Sequence, residues 1–101
     1  GITFNTVRDD GAVIDRASRT WPNTERIKAA IAAQELDGVD AWPAIATSCD
    51  LLFSRYLGRG LPATWIDVVD ASGTPVPGNA PASTLYHVFL AFAEILRIGK
   101  A

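Results

Sequence analysis

The chain has 101 residues, of which 49% are apolar and 20% charged, with a formal charge of −2 and a pI near 5.1. That balance supplies no basic field for nucleic acid or an anionic membrane surface, and the apolar share excludes a disordered chain. The length allows one compact domain of limited burial, or a fragment of a larger one.

In chain order, "ITFNTV" mixes β-branched and aromatic residues. "RDDG" before "AVID" reads as a turn around Asp10-Gly11, so a short antiparallel hairpin is expected over 2–15. "RTWPNTERIKAA", positions 19–30, then opens a helix with Pro22 in its first turn and Thr20 or Asn23 as cap. Ile27, Ile31 and Leu36 mark its apolar side and Gly38 ends it. A second helix is expected over 41–57, with Pro43 in its first turn and a stripe of Ile45, Cys49, Leu52, Phe53 and Tyr56; "GRGLP" closes it. "TWIDVVD" reads as a strand over 64–70. The prolines at 75, 77 and 81 favour a structured loop over a further strand. The last helix is expected over 82–98, with Leu85, Phe89, Phe92 and Leu96 on one side and Val88 and Ile95 widening the stripe.

Cys49 stands alone, which excludes an intrachain disulfide framework and a zinc cluster, and its setting in "IATSCDLLF" suits a small buried thiol. No apolar run is long enough to span a bilayer and no charged leader precedes an apolar stretch, so a cytoplasmic location is expected. The start at Gly1 points to a processed tag or to excision from a longer protein.

A coarser pattern overlies these elements. Gly11 and Gly73 are 62 positions apart, and so are Glu25 and His87, which reads as two successive hairpin–helix units with Glu25 and His87 at equivalent heights. Two unrelated turn–helix segments are the alternative. Units of this kind bury their faces on neighbours, so exposed apolar faces and self-association are expected.

His87 is the chain's one histidine and the side chain type best suited to exchange a proton near neutral pH; a packed or surface helix residue is the plainer reading. Glu25 sits where the helix's positive end favours a carboxylate, and capping or surface solvation is the plainer reading. Trp21, one turn before it, suits either stacking on a sugar ring or pinning the hairpin to the helix. Arg16, Arg19 and Arg26 near the same rim are an ordinary solvated surface or a bidentate phosphate contact. Asp67 and Asp70 lack the accompanying ligands of a cation site, so no metal is expected. Tyr86, adjacent to His87, is expected to point elsewhere and to pack, whereas Glu94, seven positions on, returns to the His87 face.

"DDGAVIDRASRTWPNTERIKA" and "TWIDVVDASGTPVPGNAPASTLYHVFLAFAEILR" together resemble the C-terminal part of the N-acylglucosamine 2-epimerase family, in particular its mannose-6-phosphate isomerase-like members. The resemblance implies an all-α fold: a partial (α/α)6 barrel of about three helices with two short β-hairpin inserts, residues 1–101 forming a single C-terminal fragment or truncated domain. It implies a 2-epimerase or aldose–ketose isomerase for a mannose-type hexose or its 6-phosphate, working by proton transfer without a cofactor. By the same resemblance His87 is one of two acid–base histidines, and Trp21 and Glu25 line the sugar pocket, Glu25 bonding sugar hydroxyls; Arg19 and Arg26, from their place near that rim, are the candidate substrate contacts. The second catalytic histidine and a substrate-contacting arginine would come from an earlier part of the family chain. With one histidine, the isolated chain is expected to be inactive, either a homo-oligomer or dependent on a missing N-terminal part. A noncatalytic carbohydrate-binding module and a helical protein-interaction scaffold are the competing readings.

Overall fold

The computed structural model describes residues 2–58 and 64–99. In chain order these form β1 (Thr6–Val7), β2 (Val13–Asp15), β3 (Ser18–Arg19), α1 (Thr20–Asp37), α2 (Trp42–Leu51), a π-helical turn (Leu52–Tyr56), β4 (Val68–Val69) and α3 (Thr84–Gly99). Three helices and two short hairpins result, the arrangement expected for part of an (α/α) toroid.

The first hairpin turns where the sequence placed it. Gly11 takes φ +86°, a left-handed value that costs glycine nothing, and the Asp10 carboxylate accepts the Ala12 N–H at 2.9 Å. β1 and β2 pair antiparallel, Thr6 with Asp15 and Val7 with Val13, with a bulge between. The second hairpin is shorter than the strand expected over 64–70. β4 pairs with β3 (Ser18 with Val69, Arg19 with Val68), and the chain turns at Asp70–Gly73 so that Val76 N–H reaches the Val68 carbonyl at 2.9 Å. The two sheets stay separate, each of two strands. Of the closing stretch 58–62, only Gly58 lies within the described residues.

Helix α1 ends in a Schellman motif: Gly38, at φ +71°, donates to the Gln34 carbonyl and Val39 to that of Ala33. Its start corrects the expected cap. Neither Thr20 nor Asn23 caps; the flanking residue is Arg19, whose side chain makes no capping bond. Thr20 instead donates its hydroxyl to the Ile66 carbonyl and its N–H to that of Asp67 at 2.8 Å. Asn23, fully buried, donates to Ser18 Oγ (3.0 Å), the Arg19 carbonyl (2.7 Å) and Tyr56 Oη (3.3 Å), and accepts the Thr3 N–H (3.0 Å). These two polar residues fasten the first turn of α1 to both hairpins. The expected 41–57 helix divides at Leu52, where a wider turn closes with Leu57 N–H on the Leu52 carbonyl at 2.8 Å. The turn buries Tyr56 completely, and its hydroxyl donates to Ser18 Oγ at 2.8 Å.

The core gathers Ile27, Ile31, Ala41, Ile45, Leu52, Tyr56, Val69 and Ala91. α1 is its centre. α2 turns back along it, with Arg26 Nε on Ser48 Oγ at 3.0 Å, and α3 lies along its other side. Two pairs fix how α3 lies: Glu25 meets His87 and Glu35 meets Arg97, both 62 positions apart. The helices therefore run parallel and in register over ten residues, about 15 Å of helix.

Three apolar expectations are corrected. Leu36 is 83% exposed, because five residues beyond Ile31 it has turned about 140° away from the core face of α1. Phe53 faces out from the π-helical turn, against Phe92. In α3, Leu85, Phe89 and Leu96 are all more than half exposed; the residues toward the core are Thr84, Ala91, Phe92, Ile95 and Ile98. Periodicity alone could not choose between two apolar faces of one helix, and the small Ala91 lets that face come closest.

Candidate functional site

α1 and α3 each present one polar side chain across their contact near their N-terminal ends. His87 Nδ1 lies 2.6 Å from Glu25 Oε1, and their side chains are 20% and 33% exposed. Two residues expected merely at equivalent heights are in direct contact. Glu25 sits in the second turn of α1, past the turn anchored by Thr20 and Asn23, and His87 in the first turn of α3. The in-register packing decides that they meet.

Two rings bound the imidazole. Trp21, one turn before Glu25 on α1, lies 5.4 Å from the His87 ring at 33°. Tyr86 lies 4.0 Å away at 32°, which corrects the expectation that it points elsewhere. Consecutive Cα–Cβ bonds diverge on a helix, yet two planar rings at its exposed first turn still reach one another. Trp21 also lines an open cleft of about 560 Å³ that runs to the hairpin, with Phe4, Asn5, Asp15 and Arg19 on its walls.

Arg19 faces that cleft, 3.4 Å from Asp67 Oδ2. Arg26 is turned toward α2 and Ser48, as the roughly 100° step from Glu25 requires. Arg16 lies over the Phe4 ring at 5.7 Å. Glu94 does not return to His87 but pairs with Arg97. The Asp70 carboxylate is used within its own turn, accepting from Ser72 and Thr74. Among the described residues, no three His, Cys, Asp or Glu side chains converge closely enough to hold a metal ion.

The electrostatics favour an ionised Glu25. Partial burial works against its charge, but hydrogen bonds from His87 and Lys28 outweigh it and hold the carboxyl below its ordinary range. An ionised carboxylate can only accept, so Nδ1 of His87 carries the proton and Nε2 is the ring's basic nitrogen. Cys49 is half-buried against the core, and burial, aided by the charge of Asp50, pushes its thiol up and keeps it protonated.

Two neighbours of the pair were not assigned to it from the sequence. Lys28 was legible in principle, since it stands three residues after Glu25 on the same helix face. Tyr86 was not, because helical spacing places it off the His87 face.

Comparison with known proteins bears on all of this. The profile of the N-acylglucosamine 2-epimerase (GlcNAc 2-epimerase) family matches residues 1–91. The mannose-6-phosphate isomerase of Rhizobium meliloti (strain 1021) is 37% identical over 97 aligned residues, covering 93% of this chain and 25% of the relative. The structure of cellobiose 2-epimerase from Spirochaeta thermophila DSM 6192 superposes with a TM-score of 0.84 at 21% identity, over 99% of this chain and 28% of that one. The chain thus spans about a quarter of the length of each. No helix among the described residues is long and apolar enough to cross a membrane.

Proposed function

Because the chain belongs to the N-acylglucosamine 2-epimerase family, we propose that it forms the C-terminal part of the active site of a sugar 2-epimerase or aldose–ketose isomerase. The substrate is a mannose-type hexose or its 6-phosphate. The observation that carries this reading is the 2.6 Å contact between Glu25 and His87, in which an ionised carboxylate orients the chain's only imidazole.

The chemistry follows from that orientation. With the sugar ring opened, the hydrogen on C2 is acidified by the adjacent C1 carbonyl. Nε2 of His87 accepts that proton, the C–H electron pair moves into a C1–C2 double bond, and the carbonyl oxygen becomes an enediolate oxygen. Glu25 stabilises the imidazolium through Nδ1–H, as an orienting carboxylate does for a general base. Return of a proton to the opposite face of C2, with O1 becoming the carbonyl again, gives the epimer; delivery to C1, with the O2 proton passing to O1 and O2 becoming the carbonyl, gives the ketose. Return to the opposite face calls for a second acid on that side, which is the place of the second histidine in the family's reaction. Trp21 offers the sugar an apolar face beside the imidazole, and Arg19, on the cleft that Trp21 lines, is the guanidinium placed to meet a hydroxyl or phosphate oxygen. Arg26 has the weaker claim, since it faces Ser48.

The chain alone contains one imidazole and is inactive on this reading. The test is a chimaera in which this chain replaces the matching quarter of the Rhizobium mannose-6-phosphate isomerase, assayed on mannose and mannose 6-phosphate beside the isolated chain. Turnover by the chimaera, reduced about 100-fold or more by Glu25→Gln, supports the reading; the factor is that of a lost acid–base contribution. Turnover by the isolated chain overturns its inactivity, and saturable sugar binding without turnover in the chimaera favours a binding module instead.

A further inference from the structure

The carboxylate of Glu25 is held from two sides. His87 Nδ1 approaches Oε1 from α3, while Lys28 Nζ lies 3.2 Å from Oε1 and 3.2 Å from Oε2. Oε1 is therefore shared between a cation on its own helix and an imidazole on the neighbouring one. The terminal torsion of a glutamate is broad and soft, so an unrestrained carboxylate rotates freely about its last bond. An ammonium straddling both oxygens removes that freedom, and its three donors suit the task better than a single directional one.

An exposed glutamate–lysine pair three residues apart usually does little beyond a small gain in helix stability. This pair differs in having a third member across a helix contact. We propose that Lys28 is a positioning residue for His87: it locks the plane of the Glu25 carboxylate so that Oε1 meets Nδ1–H, and thereby fixes the imidazole's tautomer and orientation. Lys28 touches neither the sugar nor the reacting carbon. Its place is one turn further along α1 than Glu25, as Glu25 is one turn further than Trp21, so the three residues form a row along the His87 side of the helix. The inference rests on the reading of His87 as the proton carrier but is tested without turnover.

The chain has a single histidine, so its imidazole signals in ¹H–¹⁵N NMR belong to His87 without ambiguity. The ¹⁵N-labelled chain is expected to show one protonated-Nδ1 tautomer whose N–H exchanges slowly enough to observe. In Lys28→Met the tautomers become mixed and that N–H exchanges about fivefold faster, the factor for losing one ordinary ion pair. The backbone N–H of Ala91, buried on the same helix, should keep its wild-type rate, and Lys28→Arg, which retains a cation, should restore the tautomer. Should Lys28→Met fail to give a dispersed amide spectrum, Lys28→Gln takes its place with the same expectation. A wild-type tautomer and exchange rate in the neutral variant would overturn the proposal. So would equal acceleration at His87 and Ala91, which would make Lys28 a helix stabiliser only. If the unsubstituted chain shows no protonated Nδ1, the Glu25–His87 pairing itself fails, an outcome distinct from failure of Lys28.

Discussion

At the scale of single residues, charge and hydrogen bonding are concentrated where α1 begins. Asn23 makes four hydrogen bonds with no exposure to water, so Asn23→Leu leaves the Thr3 N–H, Ser18 and the Arg19 carbonyl short of a partner. A loss of about 3 kcal/mol is expected, measured by urea denaturation, because unsatisfied buried groups cost more than the bonds gained. Tyr56→Phe removes the hydroxyl alone and should cost about 1 kcal/mol. Glu25 gives a pH-dependent counterpart. Its folded-state pKa lies below its unfolded one, so its contribution is fully present above the unfolded value and is lost as pH falls through the folded value. With the side chain one-third exposed, solvent screening limits that contribution to less than about 1 kcal/mol. The stability difference between wild type and Glu25→Gln should accordingly be constant at neutral pH and disappear on the acid side of the ordinary glutamate range. A difference that grew on acidification would contradict the assigned charge state.

At the scale of elements, the sequence was most legible where one residue type has one physical use. Gly11 and Gly38 take positive φ where a turn and a helix end were expected, and Gly38→Ala should cost about 1 kcal/mol by forcing a Cβ into the left-handed region. Pro43 likewise sits in the first turn of α2. Legibility failed where one residue type serves two purposes. Thr20 and Asn23 are good caps by type, but here the same hydroxyl and amide tie α1 to β3, to the approach to β4 and to the π-helical turn, a choice set by partners 5 to 46 positions away. The outward face of α3 is as apolar as the inward one, so no period could separate them. The 62-residue offset is the instructive case. It was legible as an equality of spacing, and it turned out to be the register of the parallel α1–α3 contact, since Glu35 and Arg97 repeat it ten residues further on. That outer pair is half-exposed, so Arg97→Met should leave the urea midpoint nearly unchanged and the Glu25–His87 contact intact.

At the scale of the whole molecule, three helices bury one face of α3 and leave Leu85, Phe89 and Leu96 on another. Phe53, exposed beside Phe92, adds to that apolar surface, and exposed apolar side chains of this kind favour association. Reversible self-association is the expected outcome for the isolated chain. Sedimentation across a concentration series should show a rising coefficient that Phe89→Glu with Leu96→Lys abolishes, whereas a compact monomer at every concentration would contradict it.

On the reading proposed above, the in-register packing of α1 on α3 makes His87 the group that moves the C2 proton. It is tested most directly by incubating the chimaera with mannose in heavy water and reading deuterium at C2 of the recovered sugar by NMR. Incorporation is expected, and His87→Gln should reduce it by a factor on the order of 100 or more, the scale of a lost general base. Incorporation that proceeds unchanged in His87→Gln would contradict it.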